Sequence, residues 1–302
     1  MADSKKDSEL LMSRFVATTL RCVLRHFETA WLFTRSDFKT IIFPVMIFAT
    51  VVSPRHNPLV LSCAFCWLWF HTFQFNASNQ SYTANEDALN KPWRPVPSGR
   101  ISLKDSRALR WGLVVFCLGF SSLFSLNVVI TSGVYTVFVV MHDDFHLSHH
   151  PIFKNLCNVG GYVTCELGCS LILSRESSLD GTSMKALSCS ALVILLTVHA
   201  QDFADVNGDR RSGRRTLPIA APEGSRIYML CALPLSSFAL ASFWSLGPIS
   251  NILFVSMGSW VGIRYFLFHD EICDQSNYRL YSIWLMGVHF LPANVHFRAL
   301  AW

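Results

Sequence analysis

The residues able to do chemistry are concentrated in two polar stretches of an otherwise apolar chain. These are Asn79 to Arg100 (NQSYTANEDALNKPWRPVPSGR) and Gln201 to Pro218 (QDFADVNGDRRSGRRTLP). If the helix preceding the first stretch continues into it, Asn79, Thr83, Glu86 and Asp87 fall at offsets 0, 4, 7 and 8 and share one face. Asp202, Asp205 and Asp209, at offsets 0, 3 and 7, share a face in the second. Carboxylates gathered in this way repel one another unless a cation neutralises them. Hard oxygen donors suit Mg2+, which keeps several waters and bridges to substrate phosphates. Asn79, Glu86, Asp87, Asp202, Asp205 and Asp209 are therefore the candidate catalytic metal ligands.

Basic residues follow each acidic group: Lys91, Arg94 and Arg100 in the first stretch, Arg210, Arg211, Arg214 and Arg215 in the second. The planar guanidinium matches phosphate oxygens in pairs, and the lysine ammonium adds a point charge. Acids for a metal beside bases for phosphate imply a diphosphate substrate. Arginines and lysines also accumulate in loops on the inner side of membranes, which accounts for Arg211 or Lys104 equally well. Topology and lipid binding leave the acids unexplained.

The elements that must hold these residues are membrane helices. Hydrophobic residues make up 51% of the 302, charged residues only 15%, and the mean hydropathy is +0.35. The expected fold is all-α, with about nine transmembrane helices. Nine apolar segments lie near residues 40–52, 58–75, 109–126, 128–142, 158–174, 187–200, 226–246, 249–268 and 280–297. They are too evenly apolar for barrel strands. The first dozen residues are polar and lack a secretory signal's apolar core. Residues 1–39 are expected to form a cytosolic N-terminus with an interfacial amphipathic helix over Ser13 to Lys39, and residues 40–302 a single transmembrane domain of two four-helix halves plus a ninth helix. With the N-terminus cytosolic, every Lys and Arg except Arg55, Arg175, Lys185 and Arg298 falls in or against an inward-facing segment, which places both polar stretches on the cytosolic face.

The two motifs, N-x7-D followed by NKPWRPVPSG and D-x2-D-x3-D trailed by RTLP, resemble those of the UbiA superfamily of intramembrane prenyltransferases. The resemblance spans essentially the whole membrane region. It implies a UbiA-like bundle around a central cavity open to the cytosol and laterally to lipid, and Mg2+-dependent ionisation of a prenyl diphosphate. It implies that Asn79 and Asp87 of the first motif and Asp202, Asp205 and Asp209 of the second are metal ligands. Lys91 and Arg94 stand where the family contacts diphosphate. Lys154, in FKNLCNVGG, resembles the first member of a Lys-Arg pair with the same task, Asn155 replacing the arginine. Arg215 completes the expected diphosphate set.

Thr83 stands where the family carries an aspartate, and Glu86 beside Asp87 supplies a carboxylate one turn away. This variant is similar to that of fungal UbiA-type terpene cyclases that make the cyathane diterpene skeleton from geranylgeranyl diphosphate. The resemblance thus implies a class I diterpene cyclase. Prenyl transfer to an aromatic acceptor uses the same ionisation, and a transporter or scaffold is the alternative of another class. The expected partners are the prenyl diphosphate and the lipid bilayer, without nucleic acid or an obligate protein partner, in an endoplasmic-reticulum membrane with the site facing the cytosol.

Several other residues admit both structural and chemical roles. Cys63 and Cys66 form a lone CxxC in an apolar run and are expected to pack. Glu166 lies inside a span, where an acid is either functional or joins helices. His142, Asp143, Asp144, His146, His149 and His150 follow no zinc spacing and are expected to be interfacial loop residues. Trp69 and Phe73 are candidates to line a cavity in which ring faces stabilise carbocations.

Overall fold

A computed structural model describes residues 2–53, 57–174 and 179–302. Arg55 and Arg175 lie outside the described residues. Among those described, the regular elements are helices throughout. The first, α1 (Ala2–Thr34), leads through a π-helical turn (Phe38–Ile42) into α2 (Phe43–Val52). Then come α3 (Pro58–Tyr82), α4 (Ala84–Asn90), α5 (Leu103–Ser121), α6 (Leu126–Asp143), α7 (Pro151–Ser174) and α8 (Gly181–Thr197). A tight turn (Val198–Asp202) joins α8 to α9 (Val206–Arg211), and α10 (Leu217–Ala220), α11 (Pro222–Phe243), α12 (Pro248–Leu267), α13 (Glu271–Phe290) and α14 (Ala293–Phe297) complete the chain.

Side-chain caps set several helix starts by satisfying amide protons that lack a partner in the first turn. Asn57 accepts from the Leu59 amide, Ser102 from Asp105, Ser125 from Val128, Asp180 from Ser183 and Asp270 from Cys273. Each of the nine apolar segments overlaps at least one helix, with 109–126 and 226–246 running past their helix ends and 280–297 divided between α13 and α14. Among the described residues, five helical stretches, at residues 58–82, 126–143, 151–174, 181–202 and 222–243, are long and apolar enough to cross a membrane.

Helix α13 starts at Glu271, well before the Leu280 expected from hydropathy. Its first turns are polar, yet Asp274 is buried because Arg226 clasps it with two bonds of 3.1 and 2.8 Å, and buried Asn277 accepts from Arg264 at 2.9 Å. Paired polar groups are silent in a hydropathy profile.

Among the described residues two large apolar cores hold the bundle, and a smaller one around Phe33 and Phe73 seats the end of α1. Of the two large cores one, on α2, α3, α6 and α7, is centred on Trp67, Leu68 and Val45. The other, mainly on α8, α11, α12 and α13, is centred on Trp284, Tyr265 and Met229. Gly168 lets α7 approach α3 so closely that a Cβ there would stand 2.3 Å from the Trp67 ring. Outward positions are apolar as well, with Val115, Leu126, Ile252 and Ile272 largely exposed, as a lipid-facing surface requires. Residues 14–28 of α1 are exposed, and the helix is anchored at its end by Phe33 against Phe73 and by Arg100, which donates to Thr29 at 2.7 Å.

Candidate active site

The chain does not continue as one helix from α3 into the first polar stretch. It breaks at Thr83 (φ −107°, ψ 17°), and α4 restarts one residue later. The Thr83 hydroxyl lies 3.0 Å from the Asn79 carbonyl and 3.1 Å from Asp87 Oδ2, so it ties the two helices across the break. The expected common face survives, because Asn79, Glu86 and Asp87 all line one cavity of about 630 Å3. The second stretch is likewise not one helix. Asp202 ends the tight turn, Asp205 lies between elements and Asp209 sits on the short α9, yet all three reach the same cavity. Gly208 makes this meeting possible, since a Cβ at that position would lie 2.2 Å from the side-chain amide of Asn90. That amide donates to the Asp205 carbonyl at 3.3 Å and joins the two stretches directly.

Within the cavity the acids alternate with bases. Lys91 binds Asp205 at 2.7 Å, Arg94 binds Asp87 at 2.8 Å, Lys154 binds Asp202 at 2.7 Å, and Arg214 approaches Glu86 to 3.2 Å. Burial pushes Glu86 up to about 7, with Asp209 adding to the rise against the pull of Arg214. For Asp205, burial acts upward too, but the Lys91 ammonium outweighs it and holds the carboxyl below its usual range. Asp209 is the exception among the acids. It is 1% exposed, its nearest cations are 3.7 and 3.9 Å away, and neither carboxylate oxygen has a hydrogen-bond partner.

This donor set fits Mg2+, being all oxygen and including a buried carboxylate with free acceptor capacity. The acids are held apart by their bases, and among the described residues no three His, Cys, Asp or Glu side chains converge into a ligand cluster.

The structure also corrects the sequence reading. Arg215 is exposed and turned away from the cavity, whereas its neighbour Arg214 is buried and lines it. Asn155 is buried outside the lining. Trp69 donates to Thr34 and Phe73 packs on Phe33, so neither lines the cavity, and Phe75 and Tyr278 occupy that place. Glu166 joins helices, binding Ser190 of α8 at 2.6 Å and His289 of α13 at 2.7 Å with no exposure. His142 is no loop residue, being buried on α6 in the cavity wall.

Hydropathy missed the wall opposite the two stretches. It carries Asp37 and Lys39 at the start of the membrane region and Gln275 and Arg279 on the polar start of α13. Among the described residues, no acid lies within ion-pair distance of Lys39 or Arg279. A signal was available in these two basic residues flanking apolar segments, but positive-inside topology accounts for them equally.

The description "UbiA prenyltransferase family" belongs to the family model that matches residues 41–286. A fumagillin beta-trans-bergamotene synthase of Aspergillus fumigatus is 26% identical over 266 residues, covering 88% of this chain and 91% of its own. A diterpene cyclase of Hericium erinaceus is 28% identical over 239 residues, 76% of either chain. Among solved structures, a UbiA homolog from Archaeoglobus fulgidus bound to GPP and Mg2+ superposes with a TM-score of 0.62, at 11% identity, over 88% of this chain and 99% of that one.

Proposed function

Because this chain belongs to the UbiA prenyltransferase family, a family of membrane enzymes that includes terpene synthases, we propose that it ionises a prenyl diphosphate, geranylgeranyl diphosphate, and cyclises the freed chain to a polycyclic diterpene. The observation that carries this reading is the alternation of acids and bases in one cavity. Each base paired with an acid is a residue able to hold diphosphate, and each acid is an oxygen donor able to hold Mg2+. Asn79, Glu86, Asp87, Asp202, Asp205 and Asp209 would hold the metal. When bound, Mg2+ supplies positive charge against the developing charge of the leaving group.

The protein's own part is an exchange of partners. Lys91, Arg94, Lys154 and Arg214 are released from their acids and turn to the diphosphate oxygens, where Lys39 and Arg279 join them. Ionisation is favoured because these cations stand where negative charge builds up, in a buried setting that strengthens each contact. The allylic cation is then held among Phe75, Tyr162 and Tyr278, whose ring faces stabilise positive charge without bonding to it. Glu86 in the role of the family's missing aspartate, together with the likeness to a bergamotene synthase and a diterpene cyclase, favours cyclisation over transfer. The setting consistent with the charge bias is an endoplasmic-reticulum membrane with the cavity facing the cytosol.

Prenyl transfer to an aromatic acceptor is the second reading, favoured by the family's own description. Membranes containing the protein, given Mg2+ and geranylgeranyl diphosphate alone, separate the two. Cyclisation releases a hydrocarbon and diphosphate without an acceptor. Turnover only after an aromatic acceptor is added would establish transfer instead.

A further inference from the structure

We propose that His142 is the base that ends the reaction, taking a proton from the last carbocation. This rests on the cyclase reading above. Beside the large polar cavity is a small apolar chamber of about 50 Å3, lined by Tyr135, Phe138, Val139, Cys157 and Cys165 among others. His142 belongs to the walls of both, and the Phe75 ring meets it edge-on at 5.5 Å. His142 borders both spaces, so a prenyl chain that runs from a diphosphate among the bases into the chamber passes it.

Its hydrogen bonds set which nitrogen is free. Asp143 is buried at 2% exposure and accepts three hydrogen bonds, from Ser78 at 2.5 Å, from the Asn79 amide at 3.2 Å and from His142 Nδ1 at 2.8 Å. A carboxylate that already accepts from a hydroxyl and an amide is an acceptor toward the ring as well. The imidazole therefore carries its proton on Nδ1 and keeps a lone pair on Nε2. Among the described residues Nε2 has no hydrogen-bond partner. Of the other polar residues at the junction, Tyr162 spends its hydroxyl on the Thr40 carbonyl, and Asn158 is an amide, a much weaker base. In the chamber, the Tyr135 hydroxyl donates to the His71 carbonyl at 2.9 Å.

In the step proposed, a C–H bond next to the cationic carbon breaks, its electron pair forms the new C=C bond, and the proton passes to Nε2. The resulting imidazolium lies against the Asp143 carboxylate, which stabilises it. The proton then leaves to water through the polar cavity that His142 also borders. The reaction balances as prenyl diphosphate giving hydrocarbon, diphosphate and one proton.

The test measures hydrocarbon, alcohol and diphosphate from purified protein given Mg2+ and geranylgeranyl diphosphate. The wild type is expected to give hydrocarbon and diphosphate in equal amounts. In His142→Gln the wild-type hydrocarbon formed per diphosphate released should fall at least about tenfold, the loss of a general base costing roughly 10²–10⁴-fold in rate, with alcohols from water capture or isomeric olefins lost from earlier cations in its place. Asp143→Asn should lower the same ratio, because an amide donating to Nδ1 turns Nε2–H toward the cavity. His142→Ala given imidazole should recover part of it. The same main hydrocarbon in an unchanged ratio in either His142→Gln or Asp143→Asn overturns the assignment. A wild type that releases diphosphate only with an added acceptor removes the cyclase reading itself, an outcome visible before any variant is made.

Discussion

Arg214 and Arg215 are neighbours in sequence and opposites in environment. One is buried between Glu86 and Asp209, and the other is exposed. Composition cannot separate them, because a D-x2-D-x3-D motif followed by four arginines offers every one of them to the phosphate. What decides is the loop after α9, where Gly213 takes a φ of +76° that suits glycine and turns the chain so that only Arg214 points inward. Arg214→Ala is therefore expected to slow diphosphate release by about 100-fold, the scale for losing one well-placed donor to a developing anion. Arg215→Ala should leave the rate within about threefold of wild type. A steady-state diphosphate assay on both variants checks this, and equal effects would return the role to the motif as a whole. Glu86 belongs to the same scale. It compensates for Thr83 in charge, while Thr83 itself splices α3 to α4 through Asn79 and Asp87.

At the scale of elements, the two polar stretches are short broken helices locked together. The meeting of Asn90 with Gly208 leaves no room for a Cβ. In Gly208→Ala the Asn90 side chain must swing away and give up its bond to the Asp205 carbonyl, at a cost of about 0.5–1.5 kcal/mol. Its expected signature is a fall in diphosphate release of about tenfold with a Tm only a few degrees lower, read by calorimetry beside the activity assay. A Tm drop without loss of release would mean that this contact serves only stability.

The sequence made much of this legible. The all-helical bundle follows from composition, and the gathering of Lys91 and Arg94 with the acids follows from spacing and charge, whereas Lys154 comes in through the resemblance of its FKNLCNVGG segment. Illegible were features whose determinants lie far along the chain. The polar start of α13 is stable because Arg226 of α11 pairs with Asp274, and hydropathy sees two charges where the fold has one neutral pair. His142 reads as part of a loop because seven of the nine residues from His142 to His150 are polar, whereas in the fold it ends α6 buried against the Phe75 ring. Trp69 and Phe73 are kept from the cavity because the side of α3 they occupy is covered by the end of α1.

At the scale of the whole molecule, the cavity holds four acid–base pairs ready to be repartnered, with Asp209, Lys39 and Arg279 outside those pairs. Buried ion pairs are costly to break singly, about 3–5 kcal/mol when one partner is removed and the other stays buried. A cation alone would strand the bases, and an anion alone would strand the acids. Together they leave every charge paired. The two ligands should therefore bind with positive coupling. The most direct measurement is calorimetric titration of the purified protein with an unreactive thiolo-diphosphate analogue of geranylgeranyl diphosphate, with and without Mg2+. Affinity for the analogue is expected to rise at least about tenfold with Mg2+, and that gain should vanish in Asp202→Asn and Asp209→Asn. An affinity independent of Mg2+, or a gain that survives both substitutions, would contradict the account.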